Sequence, residues 1–353
     1  EQRKVLPNWL HQQLVDSRSS VNEIVKKLVK EQKTAPAMVL QQNLLQHDAG
    51  GRTFSNSLEH GAPNIKTTKD GESYLVWDGD KGIHIVHDAI AALPVPASIR
   101  EAVFQTYMTV ERALQHGGEK IAATPEAWRD MTAAYHDIKK NDPKLFAALG
   151  EAKKAWNSYN KPFLKTLHAE GILNDATFER LNAHDAYIPW LRDGKEGTTE
   201  VFSPDNTVTA IGDIRTMPML EALKGSDKKI LPFNESAALI TAMQTQMITQ
   251  NRLSRQIGKI LHEYGELAGA DRTDMRIHEL KEGHTLPPGH AHGDVINWMD
   301  KGKSYWLRIN TEGTALADIP TNLLVQAVAG KTGLFNKTML GRAGMAMSGT
   351  LRA

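Results

Sequence analysis

The sequence predicts a mainly α protein, a multi-helix array in two subdomains with two small β-hairpins. Three observations predict it. Apolar residues recur at three- and four-residue spacing over most of the 353 residues. Helix-start and helix-stop signals bracket those stretches, as in Asn141-Asp142-Pro143 before one of them and Gly171 after it. Short apolar runs around Asp-Gly and Lys-Gly occur in only two places.

The elements follow in order. Residues 1–71 read as N-terminal helices and a connector. Trp9, Leu10, Leu14, Val21, Ile24, Val25 and Leu28 mark a helix from about 7 to 32, and Ala37 to Leu45 a shorter one that Gly50-Gly51 ends. The Gly-, Ser-, Asn- and Thr-rich residues 50–71 read as a loop. Residues 72–193 read as a hairpin plus a helical subdomain. In the hairpin, Ser73–Trp77 and Ile83–Val86 flank Asp78–Gly82. Helices then run from Ile90 to Asp185. One starts at Thr124-Pro125, and the next starts at Pro143 and passes Pro162, where a kink is expected.

Residues 194–232, rich in Gly, Pro and Thr, read as a linker. Residues 233–353 begin with a long helix that Asn234-Glu235 caps and that reaches about Leu267. Its buried side is marked by Ile240, Met243, Met247, Leu253, Ile257, Ile260 and Tyr264. A second hairpin joins Val295–Met299 to Ser304–Ile309, and two helices follow, Pro320–Ala329 and Leu334–Met347. Both ends break off without terminating signals, so the chain reads as a segment of a longer protein.

Composition excludes several classes. There are no cysteines, which rules out disulfides, cysteine nucleophiles and zinc fingers. The 42 basic and 41 acidic residues leave a net charge of +1, which does not support a basic nucleic-acid coat and leaves room only for a local basic surface. No run approaches the ~20 apolar residues of a membrane span. The acid-free, basic and apolar stretch 334–353 could still make transient contact with a membrane surface, although a core helix explains it more simply.

No catalytic or cofactor-binding constellation emerges. Ala329-Gly330-Lys331-Thr332 resembles the end of a phosphate loop, but the glycine required five positions before Gly330 is Val325. There is no Gly-x-Ser-x-Gly elbow. His284, His290 and His292, near Glu282 and Asp294, are weak metal candidates in a Pro/Gly-rich loop whose spacing matches no closed site. Lys26, Lys27, Lys30 and Lys33, with Lys331, Lys337 and Arg342, form a candidate basic contact surface, or simply solvated helix faces. Tyr187, Pro189, Trp190 and Arg192 read as an architectural hinge where the chain leaves helical geometry.

Several strings, in order, resemble a known family. They are the helix with Phe104, Tyr107 and Arg112; the helices with Tyr135, Trp156 and Tyr159; Leu167-His168-Ala169-Glu170-Gly171-Ile172-Leu173; Tyr187-Ile188-Pro189-Trp190-Leu191-Arg192; the Gln- and Asn-rich long helix; Lys303–Ile309; and Gly349-Thr350-Leu351-Arg352. Together they are similar to a helical region of the large internal virion, or ejection, proteins of tailed bacteriophages. That group includes giant virion RNA polymerases and phage "large polyvalent proteins". The resemblance covers the chain from about residue 90 onward and assigns no catalytic residues.

It implies a non-catalytic structural segment, stored in the phage virion and passed with the DNA into the host envelope or cytoplasm. Its partners would be copies of itself or other virion proteins. Two other readings stay open from the residues: a binding or regulatory module of a polyvalent protein acting in the host cell, and an enzyme domain with an unrecognised carboxylate and histidine site.

Overall fold

The computed structural model describes residues 20–116, 125–185, 231–267, 275–281 and 295–311, together with 314, 316–319 and 324–325. Within them the protein is mainly α, with two small antiparallel sheets of two and three strands. The first described helix, α1, covers 20–30. It ends in a Schellman turn: Gln32 has φ +62, Lys33 N–H bonds Leu28 O at 2.8 Å, and Gln32 N–H bonds Val29 O at 3.0 Å.

Helix α2 is Thr34–Asp48 and α3 is Gly50–His60. The loop expected over 50–71 is therefore corrected at its start. Gly50 and Gly51 open a helix rather than ending one. A glycine costs a helix roughly 1 kcal/mol, but burial of Phe54 and Ser57 one turn apart on α3 outweighs it.

The first hairpin exists with different strands. β1 (Asn64–Thr67) pairs antiparallel with β2 (Ser73–Val76), Ile65 opposite Leu75. Gly71, at φ +86, makes the turn between them. Ile83–Val86 is not its partner strand: helix α4 is His84–Ala91. Ile83, Val86, Ile90 and Leu93 have helical spacing, and all are buried. The glycines taken for a hairpin turn serve close backbone approach instead. A Cβ on Gly82 would lie 2.0 Å from Glu59 O, and Ile83 N–H bonds Leu58 O at 2.7 Å.

Helices α5 (Arg100–His116), α6 (Pro125–Asn141), α7 (Pro143–Ala169) and α8 (Asp175–Ala183) occupy the stretch expected to be helical. Pro125 opens α6 as expected, whereas Thr124 lies outside the described residues. The Asp142 carboxylate accepts from Leu145 N–H at 2.9 Å, and Pro143 takes the first turn of α7. The helix runs through Pro162 and closes in a second Schellman turn. Gly171 sits there at φ +74, and Ile172 N–H bonds Leu167 O at 2.9 Å.

The long helix α9 is Phe233–Leu267. Its start differs from the expected Asn234 cap, because Asn234 lies inside the first turn. Glu101 of α5 accepts from Asn234 N–H and Nδ2–H, both at 3.0 Å, so a carboxylate from another helix occupies the positive end of α9.

The second hairpin is β4 (Val295–Asp300) with β5 (Lys303–Arg308), as expected. Lys301 (φ +51) and Gly302 (φ +73) form its two-residue turn, both in the left-handed region that matches strand twist. A third strand, β3 (His278–Leu280), pairs with β5 and gives the order β3–β5–β4. Sequence offers no alternation over so short a run. The two C-terminal helices lie outside the described residues, apart from 324–325.

Two apolar cores form. The first gathers residues from Phe54 to Leu181, the first half of α9 from Phe233 to Ile248, and Met299. At its centre Phe233 meets Phe104 and Trp156 edge-on, with centroids 5.0 and 5.3 Å apart. The second gathers Val21–Leu44, the second half of α9 from Leu253, and the three-stranded sheet. There Gly258 lets Trp298 lie on the helix: a Cβ would be 2.6 Å from the indole ring. Helix α9 thus belongs to both cores.

Where the cores meet, two glycine turns interlock. Gly302 N–H bonds Gly171 O at 2.8 Å. A Cβ on Gly171 would lie 2.8 Å from Lys301 N. Gly171→Ala should therefore lower the melting temperature clearly more than Gly71→Ala. Gly71 has a similar positive φ, costing about 1–2 kcal/mol for an L side chain, but nothing lies within 4 Å of a Cβ built on it. Equal shifts in a thermal melt would refute the interlock.

Candidate functional site

Nine polar residues of α9 do not face water. Ser236, Thr241, Gln244, Thr245, Thr249, Gln250, Asn251, Arg252 and Ser254 are all buried. Buried polar groups need partners, and the partners define where this helix touches its neighbours. Near its start the Thr241 hydroxyl lies 2.7 Å from Tyr159 OH. One turn on, Thr245 Oγ1 donates to Ser57 Oγ at 2.8 Å, and Trp77 Nε1–H donates to the same oxygen at 2.8 Å. Gln244 Nε2 donates to Asn160 Oδ1 at 3.2 Å. In the second half Asn43 Nδ2 donates to Gln256 Oε1 at 2.7 Å.

The densest part lies between the cores, at Glu170. This residue follows the last turn of α7, and its side chain has 0% exposure. A carboxylate at that end of a helix faces the negative pole of the peptide dipoles, so it needs cations from elsewhere. Arg252 and Arg255, three residues apart on one face of α9, supply them. Arg252 Nη2 donates to Oε1, and Arg255 Nη2 donates to Oε2 at 2.9 Å.

Each arginine has a second task. Arg252 Nη1 donates to Ser73 O at 2.6 Å and to Ser73 Oγ at 3.1 Å, holding the first hairpin. Arg255 Nη1 donates to Glu170 O at 2.8 Å and lies 3.9 Å from Asp300 Oδ1. Beside them Asn251 clasps the second hairpin. Its Nδ2 donates to Glu170 O at 3.0 Å and to Met299 O at 3.1 Å, and its Oδ1 accepts from Met299 N–H at 2.6 Å. The end of α7, β2, α9, β4 and the turn after it therefore meet around Glu170, whose carboxylate itself is reached by the two α9 arginines.

A second, half-buried cluster lies between α5, α6 and α7. Glu111 accepts from Tyr135 OH at 2.5 Å and from Lys153 Nζ at 2.7 Å, and Tyr107 stacks on Tyr135 with centroids 5.8 Å apart. Burial, with Glu111 nearby, pushes both tyrosine hydroxyls well above the ordinary phenol range. Both stay protonated, and Tyr135 donates to Glu111, so the cluster ties α5, α6 and α7 together.

Of the residues singled out in sequence, Lys26, Lys27 and Lys30 lie on α1 and Lys33 just after it. They do not form a uniform basic face: Lys26 pairs with Glu23 at 2.6 Å, and Lys33 pairs with Glu263 of α9. Glu101 and Glu111 have the structural tasks given above. Lys331, Lys337 and Arg342, the histidines 284, 290 and 292, the hinge residues 187, 189, 190 and 192, and the 334–353 stretch lie outside the described residues. Among the described residues no group of three or more His, Asp or Glu could hold a metal ion. No described helix is long and apolar enough to cross a membrane.

Glu170 and its arginines were not anticipated as a site. The available signal was an acidic residue directly before a helix-ending glycine, with no base in the following turn. No family model, curated protein or solved structure matches the chain.

Two outcomes test this site. Glu170→Met leaves two guanidinium groups without their buried carboxylate and should cost about 3–5 kcal/mol. Replacing Glu170, Arg252 and Arg255 together by Met should recover most of that loss in a denaturant melt. A triple variant as unstable as the single would show that charge pairing is not what matters.

The second concerns pH. Burial above all, then the charges of Arg112 and Arg180, holds the His184 imidazole below its ordinary value. Burial, reinforced by His84 and only partly offset by Asp88 and Asn234, does the same for His87. The unfolded chain therefore takes up protons first, at about pH 6.5. Stability should be full above that value and fall as the pH drops through the lower folded values. His87→Gln should flatten part of the decline in melting temperature between pH 7 and 5, and an unchanged slope would count against this assignment.

Proposed function

We propose that this chain is a non-catalytic structural segment of a large tailed-phage virion protein, stored in the capsid and passed into the host with the DNA. The observation that carries the reading is the role of the string Leu167–Leu173. It is among the sharpest marks of the resemblance to internal virion proteins, and it forms the α7 end around which β2, α9, β4 and the turn after β4 gather. Its charged groups are engaged with one another and with backbone carbonyls, which suits a part that holds helices in place. The cysteine-free composition adds support, because a protein threaded through a narrow tail gains from having no cross-links to break.

The test uses an antibody to this chain on purified particles, and on host cells infected while new protein synthesis is blocked. Signal is expected in both. Signal only in cells that synthesise phage proteins afresh, with none in particles, would overturn the virion reading in favour of a module acting in the host.

A further inference from the structure

We propose that the second core is conditional on the first, so that the folded chain opens from its two flanks inward, with the Glu170 node as the joint between the stages. This inference rests on packing and does not depend on the virion reading.

The topology is nested. The second core is built from two stretches, 21–44 and 253–324, and the chain of the first core, Met299 apart, lies between them. Its cross-contacts span great lengths of sequence. Lys33 to Glu263 closes 230 residues, and Asn43 to Gln256 closes 213. With the first core unfolded, these contacts must close a loop of that length. With the first core folded, α2 and the second half of α9 leave one compact body side by side, and the closure is short. The converse does not hold: of these two stretches only Met299 belongs to the first core.

The node supplies the local coupling. The second half of α9 leaves the first core at Ile248, and within the next seven residues Asn251, Arg252 and Arg255 are tied to Glu170. The turn of the second hairpin rests on the same helix end, through Gly302 N–H to Gly171 O and through Met299 clasped by Asn251. Without a formed α7 end, the helix loses the anchor that directs its arginines, and the hairpin loses its seat. When the second core opens, by contrast, Glu170 gains access to water at a helix terminus, where a carboxylate is readily solvated. The coupling therefore runs from the first core to the second.

Native-state hydrogen exchange on the whole chain, in rising sub-denaturing guanidinium, tests this order. Amides of α2, of α9 beyond Leu253 and of β4–β5 should exchange at lower denaturant than those of α5 and α7. Glu170→Gln should speed exchange in the second core at least tenfold and speed the amides of α5 and α7 by a similar factor, because those open only after the second core. Leu307→Ala weakens the first opening step and should speed exchange in both cores, whereas the mild first-core change Phe163→Leu should speed α5 and α7 alone, because the second core opens while the first is still folded. A single common transition for all these amides overturns the proposal. So does a first core that keeps its full protection in Leu307→Ala while the second core loses its own. A second core unmoved by Glu170→Gln removes the node from its place as the joint.

Discussion

Burying a carboxylate without access to water imposes a demand that few arrangements satisfy, and Glu170 sets that demand at the centre of this molecule. The isolated charge is very costly in an apolar interior, so both oxygens must be matched by cations and the cations must have their remaining protons accepted. Arg252 and Arg255 meet the first requirement; Ser73 and the Glu170 carbonyl accept further guanidinium protons, Asp300 lies 3.9 Å from Arg255, and the buried Arg252 Nε has no hydrogen-bond partner among the described residues. Each acceptor belongs to an element that then cannot be placed elsewhere. An ion cluster of this kind is weak evidence for net stability, because an apolar substitute of the same shape can do as well. It suits a specified arrangement, since sliding α9 by a turn against α7 would carry Arg252 and Arg255 away from Glu170.

Helix α9 extends the same logic along its length. A helix buried by apolar residues alone could slide or rotate by a turn at modest cost. This one carries hydroxyl and amide groups toward particular partners: Thr241 to Tyr159, Thr245 to Ser57, Asn251 to Met299, Gln256 to Asn43. The apolar residues supply the main drive for burial, and the polar ones select the register. Membership of both cores follows, because one rigid rod of 35 residues reaches through the first and into the second.

How much of this was legible depended on how far each cause reaches along the chain. The start of α7 at Asp142-Pro143 and its end at Gly171 were readable, since both are hydrogen-bond problems solved within five residues. The turn of the second hairpin was readable for the same reason. The first hairpin was misread because Ile83–Val86 has strand-like residues, and only packing showed that Ile83, Val86 and Ile90 bury one helical face. Gly50-Gly51 misled because local propensity is a weak prior beside burial of Phe54. The Glu170 node was not readable, because its two arginines stand 82 and 85 residues further on.

By itself the sequence determined the mainly α class, the exclusion of thiol and disulfide chemistry, the long helix with its buried apolar side, and the Gly-Ile-Leu ending of α7. These follow from periodicity, composition and capping, which act within a few turns of chain. Only the tertiary structure decided that Glu170 is buried, which cations reach it, and that the two cores are nested rather than consecutive. Those outcomes depend on which distant surfaces meet, and a charge shows whether it is solvated or matched only once its neighbours in space are known.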